Sequence, residues 1–105
     1  MVRKFDLGGL EKIEQINVAK EIVSSLFPQQ GVEDIGSIQF RVGTSAGYGP
    51  EVSFDFLHEN IAIGYHFHEG CDVTNTRGAA LRISSALEPI FKPVGYDIYC
   101  YNVED

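Results

Sequence analysis

From Leu10 onward, apolar side chains return every three or four positions: Leu10, Ile13, Ile16, Ala19, Val23, Leu26 and Phe27. That period gathers them on one stripe of a helix and leaves Glu11, Lys12, Glu14, Gln15, Lys20 and Glu21 elsewhere. Asp6 is a candidate to accept the first free backbone N–H groups, with Phe5 stapled to Leu10 across the cap. Gly8 and Gly9 weaken such a first turn by roughly 1 kcal/mol each relative to Ala, which favours a later start. Pro28 stops the helix and Gly31 marks a loop beyond it.

From Ile38 the period becomes two. Ile38, Phe40 and Val42 alternate with Gln39 and Arg41. After a glycine-rich connection from Gly43 to Pro50, Val52, Phe54 and Phe56 alternate with Ser53 and Asp55. Ile61, Ile63, Tyr65 and Phe67 then alternate with Ala62, Gly64, His66 and His68. Three half-buried strands with short links predict an antiparallel meander. A second helix is predicted over about Arg77 to Leu87, with Thr74, Asn75 and Thr76 as caps. Its inner stripe is Ala80, Ile83, Leu87, Ile90 and Phe91, and Pro89 places its regular end nearby. A last strand runs from about Tyr96 to Val103.

The predicted fold is therefore α+β in the order α-β-β-β-α-β. Two helices pack on one face of a four-stranded, mostly antiparallel sheet, and the opposite face is open. One domain spans residues 1–105, the size of a single folding unit. A chain this long buries roughly 65% of its surface, enough for one core without staples. The crossover through the second helix makes the last strand parallel to either the first or the third. The pattern does not choose between them.

Alternation names the open face: Gln39, Arg41, Ser53, Asp55, Ala62, Gly64, His66 and His68. Asp97 prefers water, which takes Tyr99 and Tyr101 outward and leaves Ile98 and Cys100 inside. Parity restricts the register of the second and third strands. A two-residue turn at Glu59 and Asn60 sets His66 opposite Ser53 and His68 opposite Glu51. A four-residue loop starting at Leu57 sets His66 opposite Glu51. Close pairing around the glycine-rich connection sets Arg41 opposite Ser53 and Gln39 opposite Asp55. Small residues at Ala62 and Gly64 predict a shallow concavity, or ligand pocket, with polar walls.

Charge narrows the partners. Eight Lys and Arg oppose fifteen Asp and Glu, a formal net charge of −7, and the basic residues are scattered. Such a chain repels phosphate backbones, so nucleic acid is not expected. No apolar run approaches the roughly 18 residues that cross a bilayer, and Asp6, Gly8 and Gly9 interrupt any leader. The expected location is the cytoplasm, with no membrane contact. Cys71 and Cys100 are too few for a disulfide scaffold and are expected to be reduced.

The chemistry-bearing residues support several readings. His66 and His68 share a strand face at a spacing that metal sites use, but a third ligand must come from Glu51, Asp55 or His58. No metal or other cofactor is assigned. A histidine beside Asp55 or Glu51 can move protons, Ser53 beside His66 has the makings of a nucleophile and base, and Arg41 can hold an anion. No oxyanion hole or substrate clamp accompanies them, so an enzyme or small-molecule site on this face is the second reading. The loop with Gly43, Gly47 and Gly49 has no lysine and leads into a strand, so it is a hairpin connection with Tyr48 at its tip, not a phosphate cradle. Cys71 gains no activation from Asp72 and is a loop thiol.

The first reading is a small acidic, non-enzymatic binding protein. Its surface is Gln39, Arg41, Glu51, Ser53, Asp55, His66, His68, Tyr99 and Tyr101. It is expected to form a homodimer face to face, or to meet a basic protein as an acidic inhibitor would, or to take a small ligand.

Overall fold

The computed structural model of the protein describes residues 9–43, 49–66 and 73–103. Its elements are helix α1 (Lys12–Leu26), strands β1 (Val32–Gly36), β2 (Gln39–Val42), β3 (Glu51–Asp55) and β4 (Asn60–Tyr65), helix α2 (Val73–Phe91), and strand β5 (Asp97–Asn102). The class is α+β, with two helices and a five-stranded mixed sheet in the order β1-β2-β3-β4-β5.

The helix start follows the chemistry of its first turn. Glu11 precedes α1, and its backbone N–H donates to the Glu14 carboxylate at 3.1 Å. This is half of a capping box built on a glutamate. The predicted Asp6 cap and Phe5 staple lie outside the described residues. Ile16, Ala19 and Val23 form the buried stripe. Ile13, predicted to join it, sits in the first turn and is 57% exposed. Ahead of Pro28, the N–H of Phe27 returns to the carbonyls of Val23 and Ser24, and Gly31, at φ +71°, turns the chain back.

The sheet has one strand more than the sequence pattern predicts. β1 contains no alternation to read: only Val32 is partly buried, and Glu33, Asp34, Ile35 and Gly36 are exposed. Backbone pairing with β2 and two ion pairs hold it. Glu33 Oε1 lies 2.8 Å from Arg41 Nε, and Asp34 Oδ1 lies 2.8 Å from Lys20 Nζ on α1. Ile38 is consequently not a core strand residue. It belongs to the β1–β2 turn and is 42% exposed.

β5 lies parallel to β4, so the last strand takes the third predicted strand as its neighbour, not the first. The three consecutive pairs β1–β2, β2–β3 and β3–β4 are antiparallel. Parity is as expected, but the registers slip: β2–β3 by two residues, and β3–β4 by two from the predicted four-residue loop and by four from the predicted two-residue turn. Gln39 faces Ser53 and Arg41 faces Glu51. Glu51 faces Gly64 and Asp55 faces Asn60, so four residues, 56–59, close the β3–β4 turn. A shift of two preserves every side chain's face, so hydrophobic pattern alone cannot detect it.

α2 is longer than the predicted 77–87 and passes through Pro89. Proline there removes the bond to the Ser85 carbonyl in the last turn only, and a single 3-10 turn (Lys92–Val94) follows immediately. Thr76 does not cap. Its hydroxyl donates to the His66 carbonyl at 3.0 Å and ties the end of β4 to the start of the helix. Phe40, Val42, Val52, Phe54, Ile61 and Ile63 meet the helices in one core, with Ala80, Ile83, Leu87 and Phe91 from α2. Tyr96, placed in the last strand by the sequence pattern, precedes it. The residue is buried, and its hydroxyl donates to Gln15 Oε1 at 2.7 Å. Predicted core residue Phe67 lies outside the described residues.

Candidate functional site

On the face away from the helices, the register aligns side chains in rows that cross the sheet. One row is Glu33, Arg41, Glu51, Gly64 and Tyr101, one residue from each strand in turn. The next is Gln39, Ser53, Ala62 and Tyr99, and the third is Asp55, Asn60 and Asp97. Successive rows stand roughly 7 Å apart along the strands.

In the first row each charge has a partner. Arg41 is engaged by Glu33, a residue with no sequence signal beyond its sign, because β1 was not legible as a strand. Glu51 reaches along the sheet to His66, with Oε2 3.2 Å from Nε2. This is a partly buried pair, the two side chains being 21% and 16% exposed. Glu51 and His66 are diagonal neighbours, not directly opposite as the predicted four-residue loop had them. Gly64 does not open a concavity. The Tyr101 ring occupies the space, and a Cβ on Gly64 would stand 2.9 Å from Tyr101 Cζ and 2.7 Å from Val103 Cγ2.

Row two is neutral. Gln39 Nε2 donates to Ser53 Oγ at 2.9 Å. Ser53 faces Ala62, four residues before His66 and so roughly 13 Å away along the strand. The two do not form a nucleophile and base. Asp55 serves the β3–β4 turn: Oδ1 accepts the N–H groups of Leu57 and His58 at 3.1 Å each, and Oδ2 meets His58 Nδ1 at 2.9 Å. The His58 side chain, then its backbone N–H, holds this carboxyl below the usual carboxylate range. Asp55 is thus drawn to His58, and Glu51 to His66, on separate rows. Among the described residues no three His, Cys, Asp or Glu side chains gather closely enough to hold a metal ion. His68, Tyr48, Cys71 and Asp72 lie outside the described residues.

The tyrosines are the most open aromatic surface of this face. Tyr99 is 50% exposed and Tyr101 40%, with ring centroids 6.2 Å apart and planes inclined at 44°. Partial burial, then the Glu51 carboxylate and Tyr99, push the Tyr101 hydroxyl's pKa upward, so it is a proton donor at neutral pH. Under the sheet, Cys100 is a free thiol that donates to the Ala80 carbonyl at 3.6 Å. Burial raises its pKa and keeps it protonated.

Among the described residues no helix is long and apolar enough to cross a membrane. Comparison of the chain with family models found no match, and none was found among curated proteins or solved structures.

Proposed function

We propose that the domain is a non-enzymatic binding module that presents its outer sheet face to a basic protein. The observation that carries this is the exposed Tyr99–Tyr101 pair at the edge of a face where carboxylates outnumber cations. Among the described residues, Glu33, Glu51, Asp55 and Asp97 share that face with a single guanidinium, Arg41. Tyrosine rings attract ammonium and guanidinium groups, and nearby carboxylates strengthen the attraction. A net charge of −7 steers such a partner from a distance.

The same charges disfavour the face-to-face homodimer, because apposing two copies brings like rows together. They also weaken the small-enzyme reading. Arg41 is committed to Glu33 and Asp55 to His58, which leaves Glu51 and His66 without a placed anion clamp.

A Tyr99→Ser, Tyr101→Ser double variant is expected to bind an octa-arginine peptide about tenfold more weakly than the wild type at physiological salt, as two partly desolvated cation–π contacts would require. The variant should stay folded with a lowered thermal midpoint, because the Tyr101 ring covers Gly64, so the affinities are compared well below the melting transition of both proteins. Isothermal titration calorimetry reads the affinity. Equal affinities would remove the tyrosine face from the reaction with basic partners.

A further inference from the structure

Among the described residues, Arg82 and Lys12 each lie over an aromatic ring, in different ways. Arg82 Cζ stands 4.8 Å from the centroid of the Phe27 ring, and the same guanidinium donates to the Leu26 carbonyl at 3.3 Å. Lys12 Nζ stands farther off, 5.4 Å from the Phe56 centroid. A guanidinium is flat, so it lays one face on a ring while its edge donates to an acceptor at the rim. An ammonium is a compact, strongly hydrated point charge that must shed water to approach a ring. A ring with an acceptor at its rim therefore favours arginine over lysine.

The outer sheet face combines the same parts. The Tyr101 side chain leans across Gly64, where its Cζ and hydroxyl oxygen stand 2.9 and 3.0 Å from the position of an added Cβ. Glu51 is paired with Gly64 from the opposite side. Residues paired in this way have Cβ positions about 5 Å apart, so the phenol end of Tyr101 lies beside the stem of Glu51. The Glu51 carboxylate meets His66 through Oε2, and a carboxylate has about four acceptor sites. Arg41 lies on the other side of Glu51, with its Nε directed to Glu33 Oε1 at 2.8 Å.

Tyr99 repeats the arrangement one row along. It pairs with Ala62, which is too small to cover it, and the exposed Asp97 precedes it by two residues on the same face of β5. The two ring centroids are 6.2 Å apart. Alternate side chains of an extended peptide, or side chains four apart on a helix, are spaced by about 6–7 Å. One basic segment can thus set a side chain on each ring.

We infer that this face selects arginine: two guanidinium groups of the partner lie on the Tyr99 and Tyr101 rings, with their edges toward Asp97 and Glu51, and lysine does not substitute for them. The inference rests on the reading of this face as a site for a basic protein, and it adds the residue that the partner must present.

Octa-arginine and octa-lysine carry the same formal charge, so long-range attraction to a chain of net charge −7 is equal for both. Isothermal titration calorimetry of each peptide with the full chain, at physiological salt, isolates the contact itself. Wild type should bind octa-arginine about tenfold more tightly than octa-lysine. The Tyr99→Leu, Tyr101→Leu double variant keeps apolar bulk and removes both ring faces. It should bring the two peptides to within about twofold of each other, by weakening octa-arginine. Tyr99→Leu alone should narrow the preference to about threefold. Tyr99 is half exposed and pairs with a small residue, so this single variant reads the effect even where the double is unstable. Equal affinities in wild type would overturn the selection of arginine, and would leave the basic-partner reading standing if the leucine variants weakened both peptides. Binding of neither peptide would overturn both. A tenfold preference that survives in the leucine variants would place arginine recognition away from the rings and overturn the inference.

Discussion

Phe54→Ala should lower the free energy of unfolding by about 3–5 kcal/mol, the range for removing a fully buried aromatic. Phe54 is 1% exposed and stands at the centre of an aromatic group. Its ring centroid lies 5.5 Å from Phe56, 5.7 Å from Phe91 and 6.0 Å from Tyr96. These rings come from the β3–β4 turn, from the end of α2 and from the approach to β5, so the cavity would loosen all three at once. A domain of this size has only about 5–15 kcal/mol to lose. Ser53→Ala, one residue earlier, should cost no more than about 1 kcal/mol, the worth of its partly exposed bond from Gln39. Urea denaturation of the two variants measures the contrast. Comparable losses would mean that Phe54 is not the core residue the sheet makes it.

Gly64→Val is the second large effect, about 1–3 kcal/mol by overpacking. Gly64 is buried on the outer face, between Glu51 on one side and Tyr101 on the other. A side chain there must displace the Tyr101 ring and the Val103 methyl. The ring can swing outward at modest cost, but doing so exposes it and removes it from beside Tyr99. Reduced stability should therefore accompany a changed near-ultraviolet circular dichroism signal from tyrosine. A variant as stable as wild type with an unchanged signal would show that nothing rests on Gly64.

Both effects trace to one feature that could be read from the sequence, the alternation within β2, β3 and β4. It separated Phe40, Val52, Phe54, Ile61 and Ile63 from Gln39, Ser53 and Ala62, and hydropathy is strong in those strands. β1 was invisible because one partly buried valine is all it contributes to the core; its stability comes from pairing and from Arg41 and Lys20, which no local pattern records. Register was legible only modulo two, since turn length trades against pairing in steps that preserve the face. For that reason Ser53 was given Arg41 in place of Gln39 on β2, and the four-residue loop gave Glu51 His66 in place of Gly64 on β4. α2 outran its prediction because proline in a last turn forfeits a single hydrogen bond.

A basic partner can reach this domain through the sheet only if the outer face stands open while the alternate positions are closed. Thiol labelling of Ser53→Cys and Val52→Cys, each in a Cys71→Ser, Cys100→Ala background, measures that at one strand and two neighbouring residues. Labelling of the cysteine at position 53 should approach the rate of an unfolded control, and position 52 should react only through opening of the fold, slower by orders of magnitude. Equal rates, or the reverse order, would contradict the account.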